Sequence, residues 1–366
     1  MQLSSASQTL LKTALLSVLR QEYPNEMKDE LLPDSYIDQP PEVQRSLLGD
    51  VLISSNTHWK EETLNMIDQI WEEEYFLERE NGKIIDIKDI PVASTTRNGT
   101  KISIYRGDIT TLSGDAVAIV NAANDQGLGC FQPNHKCIDN VIHRRAGPRL
   151  RISCNELMKQ RNGHALKSGT SPIVSDAYHL SATYIIHVTG PQVGRGIVSD
   201  KHRSDLMKTY MNSLDAAVNI GAKSVVFPCI STGLFGFPSE LAVDIALGSV
   251  QTWLEENPNR LDRIVFNTFT NNDEQLYKER IESYFTAMDD SIMNINATVT
   301  PNATTIAPRD KVVALAKKYI DDADAVLICA GAGMSVKQGE MVYTNPNDFA
   351  KHYPFFANKM GIPYKL

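Results

Sequence analysis

The chain has 366 residues, of which 42% are hydrophobic and 22% charged, with a mean hydropathy of −0.25, as in soluble globular proteins. Its net charge of −8 and pI near 5.5 argue against binding to a nucleic-acid backbone, because such proteins usually present a basic face. No apolar run approaches the roughly 18 residues of a membrane-spanning helix, which argues against a membrane partner.

The cysteine content and the first residues bear on location. Five cysteines, an odd number in a chain of this length, argue against a disulfide framework and favour a reducing compartment. The first twenty residues contain no acid and resemble a mitochondrial presequence as well as an amphipathic helix. Five apolar residues would share one helical face: Leu10, Leu11, Ala14, Leu15 and Leu19. We therefore favour the helix and expect a cytoplasmic protein, with a mitochondrial location as the alternative.

Residues 1–92 are predicted to form a helical N-terminal extension. The segments EVQRSLLGDVLISS and EETLNMIDQIWEEEYFLERE carry apolar residues three and four positions apart. No cluster of nucleophiles or metal ligands falls in this region, so we expect it to pack against the rest of the chain.

The pattern changes near residue 93. Short β-branched segments alternate with helical stretches, as in KISIYRGDI, DAVAIVNAAN, TYIIHVTGP, SVVFPCIST and RIVFNTF. Such alternation predicts a three-layer α/β domain with a mixed, largely parallel central sheet over 93–288. Ligands of these sheets bind beyond the carboxyl ends of the strands, where the NAAN, TGP and STG turns would lie.

Two motifs at that edge are compatible with a nucleotide sugar. The first, NAAN, contains Asn121 and Asn124, whose amides can donate to and accept from ribose hydroxyls; an Asn-rich helix cap is the alternative. The second, CISTGLFGFP, places Gly233 and Gly236 between a strand and a helix, where backbone N–H groups can bind a pyrophosphate. A glycine-rich loop alone is weak evidence for such a site.

The stretch GCFQPNHKCIDN lies between these motifs and holds three potential metal ligands. Cys130, His135 and Cys137 offer two thiolates and an imidazole, a set that selects zinc over magnesium or calcium. Three protein ligands leave one tetrahedral position open, as in catalytic zinc sites. The alternatives are a structural zinc, with His143 or Cys154 as fourth ligand, and a redox pair.

Three motifs together resemble a known family. GDIT, VNAAN and ISTGLFGFP, in this order and at these separations, resemble the macrodomain, an ADP-ribose-binding α/β module, over about 95–287. The resemblance implies that Asp108 holds the adenine amino group and that Asn124 contacts the distal ribose. It also implies ADP-ribose contacts by further residues of these motifs: Ile109, Asn121, Ser231, Thr232, Gly233, Leu234, Phe235, Gly236 and Phe237.

The Cys-x4-His-x-Cys pattern replaces the glycines that most macrodomains carry after NAAN. It resembles the zinc-containing subgroup, which hydrolyses ADP-ribose from proteins and also carries a helical N-terminal extension. In hydrolytic relatives an acid precedes an IHRxAG helix, and Asp139 is the matching residue here. The resemblance therefore implies one zinc per macrodomain, held by the two cysteines and the histidine, and catalysis by Asp139 with Asn124.

We therefore expect a zinc-dependent, glycosidase-type hydrolase that removes mono-ADP-ribose from acidic side chains of modified proteins. Zinc would offset negative charge on the leaving oxygen or lower the pKa of a bound water to about 7, which Asp139 would orient or deprotonate. The family resemblance implies a carrier protein of the lipoyl type as substrate and a sirtuin as partner. The alternative is a non-catalytic ADP-ribose reader whose zinc only folds the loop.

The C-terminal residues show a second resemblance. Residues 289–308 are rich in Asn, Thr and Ala and are predicted to be a linker. Within 309–366, LICAGAGMS and NDFAKHYPFFANKMG resemble the opening nucleotide-binding segment of the class M sirtuins, which are encoded beside zinc macrodomains. The catalytic histidine and the four-cysteine module of sirtuins do not follow, so we expect a truncated sirtuin-like fusion partner without sirtuin chemistry; a nucleotide-binding regulatory or partner-docking role is the alternative.

Two other residues with reactive side chains are expected to be structural. His187, at the end of the segment TYIIH, is predicted to be a core histidine with its hydrogen bonds satisfied. Cys154 is predicted to be a small buried hydrophobic residue.

Overall fold

The computed structural model describes residues 3–25, 38–194, 197–285, 336–337 and 340–341. The chain divides into two compact units, Met1–Asp290 and Ser291–Leu366. In the second unit, Val336–Lys337 pairs antiparallel with Glu340–Met341. The predicted linker and the rest of the sirtuin-like segment lie outside the described residues.

The N-terminal extension is helical, as predicted. Its helices are α1 (Ser5–Glu22), α2 (Pro41–Ser54) and α3 (Glu61–Glu80). Each presents an apolar stripe to the others, and Leu15, Leu48 and Ile67, one from each helix, are fully buried in their shared core. The predicted face of α1 is buried except at its edge, where Leu10 is only partly covered.

The described strands of the α/β domain form a seven-stranded main sheet and a separate pair made by the first and the fourth strand. They are β1 (Ile85–Asp86), β2 (Val92–Thr95), β3 (Lys101–Arg106), β4 (Leu112–Ser113), β5 (Val117–Ala122), β6 (Ile173–Asp176), β7 (Tyr184–Val188), β8 (Ser224–Pro228) and β9 (Arg263–Thr268). The described main sheet has the order β2-β3-β9-β8-β5-β7-β6. Its five inner strands are parallel, and β2 and β6 pair antiparallel at the two edges. The predicted mixed, largely parallel sheet is confirmed.

Helices cover both faces of this sheet. They are α4 (Ile138–Ala146), α5 (Pro148–Gln160), α6 (Asp200–Asn219), α7 (Ser239–Glu256) and α8 (Asn271–Phe285). Alternate residues of β5 face opposite layers: Val120 packs with α6, α7 and α8, and Ile119 packs with α4 and α5. In the described part of the chain, no helix is long and apolar enough to cross a membrane.

The extension docks on α4 and α5 through charged pairs. Arg144 Nη1 lies 2.7 Å from Asp50 Oδ1, and Arg149 Nε lies 2.6 Å from Asp68 Oδ2. The side chain of Ile152 on α5 packs against the apolar core of the extension. The extension thus supports the helix pair that follows the predicted metal-ligand stretch.

Candidate functional site

The loops after the parallel strands meet at one edge of the sheet. The amide of Ala123 donates to Val188 O at 2.7 Å, which joins the turn after β5 to the end of β7. The amide of Val193 donates to Phe235 O at 2.7 Å, which joins the loop after β7 to the loop after β8. The three predicted motifs therefore lie at a common edge, as expected from the topology.

Asp139 lies in the first turn of α4, with its carboxylate between two asparagine side chains. Asn121 Nδ2 donates to Asp139 Oδ1 at 2.7 Å, and Asn124 Nδ2 lies 3.4 Å from Asp139 Oδ2. Asn124 is partly exposed, whereas Asn121 is fully buried behind the carboxylate. The predicted contact of Asn121 with ADP-ribose stays a prediction; the structure gives its amide a role in orienting Asp139.

Asn124 also orders the loop that follows it. Its Nδ2 donates to Gly129 O at 3.1 Å, and its Oδ1 accepts from the amides of Gln126 at 3.0 Å and Gly127 at 3.2 Å. An asparagine that binds the backbone two and three residues ahead forms a tight turn. The residue therefore organises a turn rather than a helix cap, and its predicted ribose contact stays a prediction.

Burial sets the charge of Asp139. The residue is 3% exposed, and burial raises its pKa to about 6, although the hydrogen bond from Asn121 and the charge of Arg151 act in the opposite direction. In the metal-free protein the carboxylate therefore changes charge near pH 6, and a cation bound close by would lower this pKa.

A buried chain of hydrogen bonds lies behind Asp139. His187 Nδ1 is 3.1 Å from Asn121 Nδ2, and His187 Nε2 is 3.0 Å from Ser175 Oγ. Because an amide nitrogen can only donate, His187 Nδ1 accepts and the ring proton lies on Nε2. Burial lowers the pKa of His187 to about 3, so the ring is neutral. The predicted core histidine is confirmed.

His143 lies one turn after Asp139 on α4. Its Nε2 is 3.6 Å from Asp139 Oδ1, too long for a hydrogen bond, and neither ring nitrogen is hydrogen-bonded to a described residue. Burial, reinforced by the neighbouring His187 and Arg151, lowers the pKa of His143 well below its usual value. The ring is therefore neutral, and the contact with Asp139 is not an ion pair.

Gly129 rests directly on the His143 ring and has a φ of +83°, and a Cβ there would lie 2.7 Å from ring atoms. We expect Gly129→Ala to lower the free energy of unfolding by about 1–3 kcal/mol through backbone strain and this clash. The matched control is Gly163→Ala, since Gly163 has a φ of +79° but nothing within 4 Å of the added Cβ. Denaturant unfolding compares the two, and equal losses would contradict a tight contact between Gly129 and His143.

The predicted metal ligands come together. The ligand atoms of Cys130, His135 and Cys137 all lie within 4.8 Å of one another, and Cys130 Sγ is 3.3 Å from His135 Nδ1. Zinc–ligand bonds of about 2.3 Å to sulfur and 2.0–2.1 Å to nitrogen place these two atoms about 3.5 Å apart in a tetrahedral site. The donor set and its spacing therefore fit zinc, and the ligand assignment itself stays a prediction.

Cys137 has two roles at the start of α4. Its Sγ accepts from the amide of Asn140 at 3.4 Å, which makes it the N-cap of the helix. Burial raises the pKa of the Cys137 thiol to about 12, and the nearby Cys130 and Asp139 act in the same direction. A bound cation would reverse this shift, because metal coordination deprotonates a thiol.

The two candidates for a fourth ligand lie in a different cluster. His143 and Cys154 group with His187, and within the described residues neither joins the three predicted ligands. All three are buried, and both nitrogens of His187 are already engaged, so we interpret this group as internal packing. The prediction that Cys154 is buried is confirmed.

The glycine-containing loop after β8 is shaped by its own backbone. Phe237 N donates to Ser231 O, and Gly236 N donates to Gly233 O, both at 3.0 Å. Within the described part of the chain, the amides of Gly233–Phe235 at the tip of this loop donate to no acceptor. These N–H groups remain available for an anion, as the sequence predicts.

The side chains of this loop divide between solvent and core. Leu234 is 71% exposed and Phe235 is half-buried, whereas Phe237 is 2% exposed and packs in the core beside α7. A ligand contact by Phe237 would therefore use its backbone. Thr232 Oγ1 donates to Cys229 O at 3.0 Å, and the buried hydroxyl of Ser231 has no partner among the described residues.

Asp108 lies in the turn after β3. Its Oδ1 accepts from the amide and the hydroxyl of Thr110 at 2.9 and 2.6 Å, while the carboxylate remains exposed. The side chain of Ile109 is 3% exposed and packs in the core under α4, so a ligand contact would use its backbone.

Sequence reasoning missed Phe269, which follows β9 and is 82% exposed. The amide of Gly107 donates to Thr268 O at 3.2 Å, so the end of β9 adjoins the turn that contains Asp108. An aromatic ring this exposed is a suitable stacking surface for a planar base. Its signal in the sequence was an aromatic residue just past the strand RIVFNT.

Comparison with known proteins now identifies the domain. A family model described as "Macro domain" matches residues 120–246. A Treponema medium protein named "Protein-ADP-ribose hydrolase" is 37% identical over 265 residues, which cover 72% of this chain and 95% of that protein. The chain belongs to the macrodomain family. A Staphylococcus aureus (strain COL) protein with the same name is 45% identical over 197 residues, which cover 54% of this chain and 70% of that protein.

Other similar proteins are longer or are structures of single macrodomains. A Fusarium oxysporum f. sp. cubense protein named "Probable bifunctional ADP-ribose hydrolase/ADP-ribosyltransferase" is 40% identical over 262 residues, and the match spans 70% of this chain but 41% of that protein. A Trypanosoma brucei macrodomain in complex with ADP-ribose is 28% identical, with a TM-score of 0.48, and the match covers 63% of this chain and 94% of that one.

Proposed function

We propose that this macrodomain protein is a zinc-dependent hydrolase that releases mono-ADP-ribose from modified proteins. Support comes from the relatives named "Protein-ADP-ribose hydrolase", which share 37% and 45% of their aligned residues with this chain. The proposal is carried by one observation: the N-terminal end of α4 brings the N-cap Cys137 together with the buried carboxylate of Asp139, beside Asn124.

The buried acid favours catalysis over simple binding. A carboxylate is costly to bury, and its pKa near 6 means that the fold sustains an unfavourable charge at neutral pH. A module that only recognises ADP-ribose gains nothing from this cost, whereas a hydrolase gains a fixed carboxylate that can accept a proton. The Asn121 and Asn124 amides fix the two carboxylate oxygens, and Asp139 Oδ2, with the longer contact, is the atom proposed to take a proton from the attacking water.

We assign the metal to Cys130, His135 and Cys137. The three-ligand set leaves one tetrahedral position for substrate or solvent, as in catalytic sites. When bound, zinc would supply positive charge that offsets charge developing on an oxygen at the distal ribose. Asn124 links the ligand loop to Asp139. Its Nδ2 donates to Gly129 O, next to Cys130, and also contacts Asp139 Oδ2.

The rest of the nucleotide is assigned along the sheet edge. The free amides of Gly233–Phe235 would bind the diphosphate, and the exposed carboxylate of Asp108 would accept from the adenine amino group. Asn124 lies at the opposite end, beside Asp139, where the distal ribose would place its anomeric carbon near the acid. A sirtuin partner and a lipoyl-type carrier protein stay predictions from the sequence.

The surroundings of Asp139 favour an ester substrate. Its described neighbours include the amides of Asn121 and Asn124, the neutral imidazole of His143 and the charged Arg151, and none of these is an acid of near-neutral pKa. A carboxylate leaves as a stable anion without a proton, whereas a serine or arginine side chain would need one. We therefore propose ADP-ribosyl esters of acidic side chains as the substrate.

The test couples metal analysis to turnover on two acceptors. The purified protein is assayed for zinc content and for release of ADP-ribose from a glutamate-linked and a serine-linked mono-ADP-ribosylated peptide. We expect one zinc per chain and release from the glutamate ester. Tight binding of ADP-ribose without turnover of either peptide would instead identify a reader.

A second prediction concerns the adenine end. We expect Phe269→Ala to weaken ADP-ribose binding by about 1–3 kcal/mol, or about 5- to 150-fold in Kd, because stacking of the base is lost. Calorimetric titration measures this change, and ribose 5-phosphate, which lacks the base, should show none. Phe76→Ala is the control, since Phe76 is 59% exposed on α3 of the extension. An unchanged Kd for Phe269→Ala would remove the ring from the site.

A further inference from the structure

Arg151 on α5 is a charged residue buried between the extension and the ligand loop. It is 7% exposed. Its Nη1 donates to three carbonyls at the end of α2, those of Leu52 at 3.3 Å, Ile53 at 2.7 Å and Ser55 at 2.6 Å. The last carbonyls of a helix have no partner within the helix and form the negative end of its dipole, so a cation is well placed there.

The other side of the same guanidinium holds the loop that contains the predicted ligands. Nε donates to Leu128 O at 2.9 Å, and Nη2 donates to Cys130 O at 3.3 Å. The ring of Phe131 lies over the guanidinium, 4.1 Å from its central carbon. Three residues of the loop, among them the ligand residue Cys130 through its backbone, therefore contact one side chain.

Only an arginine can make this set of contacts. Its rigid planar group carries five N–H donors that point in opposite directions, whereas lysine concentrates three donors on one atom. Burial lowers the pKa of Arg151 to about 10, and the nearby Asp139 acts to raise it, so the side chain remains charged at neutral pH. The charge thus stays in place in the folded protein although the side chain is buried.

We propose that Arg151 is a positioning residue that makes the helical extension a working part of the metal site. The end of α2 fixes the guanidinium, and the guanidinium fixes the backbone of Leu128 and Cys130. This inference rests on the proposed function in one respect, that Cys130 is a metal ligand. It gives the extension a role beyond packing: without a docked α2, Arg151 loses its anchor and the ligand loop loses its support.

Arg149 provides a matched control on the same helix. It also joins α5 to the extension, through Asp68 at 2.6 Å, Glu61 at 2.7 Å and Asn65 at 2.8 Å, all on α3. Its described hydrogen bonds do not reach the ligand loop. If arginines of α5 only dock the extension, replacing either one should have the same consequences at Cys130.

The experiment compares Arg151→Gln with Arg149→Gln in the full chain. In metal-free protein, the rate of alkylation of Cys130 by iodoacetamide is mapped by mass spectrometry, with an added cysteine-containing peptide as the reference. In zinc-loaded protein, the rate of zinc release to a chromogenic chelator is measured. We expect Arg151→Gln to raise both rates by about 10-fold or more, as for residues that support metal ligands, and Arg149→Gln to leave both within about 2-fold.

Phe131→Ala is a second test of the inference, which still applies if Arg151→Gln fails to fold. Phe131 is partly exposed, so its removal spares the core while uncovering the guanidinium, and we expect a smaller change in the same direction. Equal effects of the Arg149 and Arg151 variants, or unchanged Cys130 alkylation in the Arg151 and Phe131 variants, would overturn the inference. Alkylation needs neither zinc nor turnover, so absence of zinc or activity in the wild type would contradict the proposed function and leave this test intact.

Discussion

Cys137→Ala is expected to abolish release of ADP-ribose from a mono-ADP-ribosylated protein, with a loss of about 100-fold or more. The residue supplies one of three clustered ligand atoms, so two ligands would remain. Removal of the metal from the wild type by a chelator should have the same effect, and added zinc should restore turnover only in the wild type. The measurement is the initial rate on the glutamate-linked peptide, beside the zinc content of each sample.

The cap at the start of α4 requires a separate control, because Cys137 Sγ also accepts from Asn140 N. Cys137→Ser keeps a side chain that caps helices well but removes the soft thiolate. We expect its metal-free form to unfold at the wild-type temperature, with turnover as low as that of Cys137→Ala. Full activity of the serine variant, or undiminished turnover by chelated wild type, would contradict a metal-dependent mechanism. If the protein shows no turnover but still binds ADP-ribose after chelation, the non-catalytic ADP-ribose-binding module would be favoured.

The motifs predicted much of the fold because they are local. GDIT, NAAN and the loop around Gly233 each follow a strand, and parallel strands bring their carboxyl ends to one edge. The clustering of the predicted metal ligands could also be predicted, because Cys130, His135 and Cys137 lie close in the chain as well as in space. Asp139 beside Asn124 follows from the same short segment.

Contacts between distant residues were not predictable in this way. His143 and Cys154 were candidates for a fourth ligand because they lie close in sequence. In the fold, however, both lie beside His187 and not beside the three predicted ligands. Arg151 meets α2 and the ligand loop across 96 to 99 and 21 to 23 residues of chain, and no local pattern marks such a contact. The sequence does not indicate that the ring of Phe269 is exposed; only the structure shows this.

Asp139→Asn is expected to remove turnover and to stabilise the metal-free protein at the same time. The carboxylate is the proposed base, and its loss should lower the rate by about 10²- to 10⁴-fold. The amide keeps an oxygen for the 2.7 Å bond from Asn121 Nδ2, and the contact given up at Asn124 is long, at 3.4 Å. Binding of ADP-ribose should remain, which separates this loss from failure to recognise the nucleotide.

The sign of the stability change follows from the pKa. Burial raises the pKa of Asp139 from 3.8 to about 6, so its contribution to stability is complete below about pH 4 and is lost as the pH rises through about 6. A shift of about two units corresponds to about 3 kcal/mol at pH 8, which a neutral amide would largely recover. Denaturant unfolding at pH 4 and pH 8 should therefore show a gain for Asp139→Asn at pH 8 that shrinks towards pH 4.

Asp68→Asn supplies a control of opposite sign. Burial acts to raise the pKa of Asp68, but the hydrogen bonds of His179 and Arg149 outweigh it and hold that pKa below its usual value. Its carboxylate is stabilised in the folded state, so Asp68→Asn should destabilise the protein at pH 8 and leave the turnover number unchanged. Rates of Asp139→Asn within about 10-fold of wild type would exclude the acid as the base. A stability loss at pH 8 would show that the fold depends on this carboxylate, whereas the expected gain together with the loss of turnover would show that the protein retains a costly charge for its chemistry.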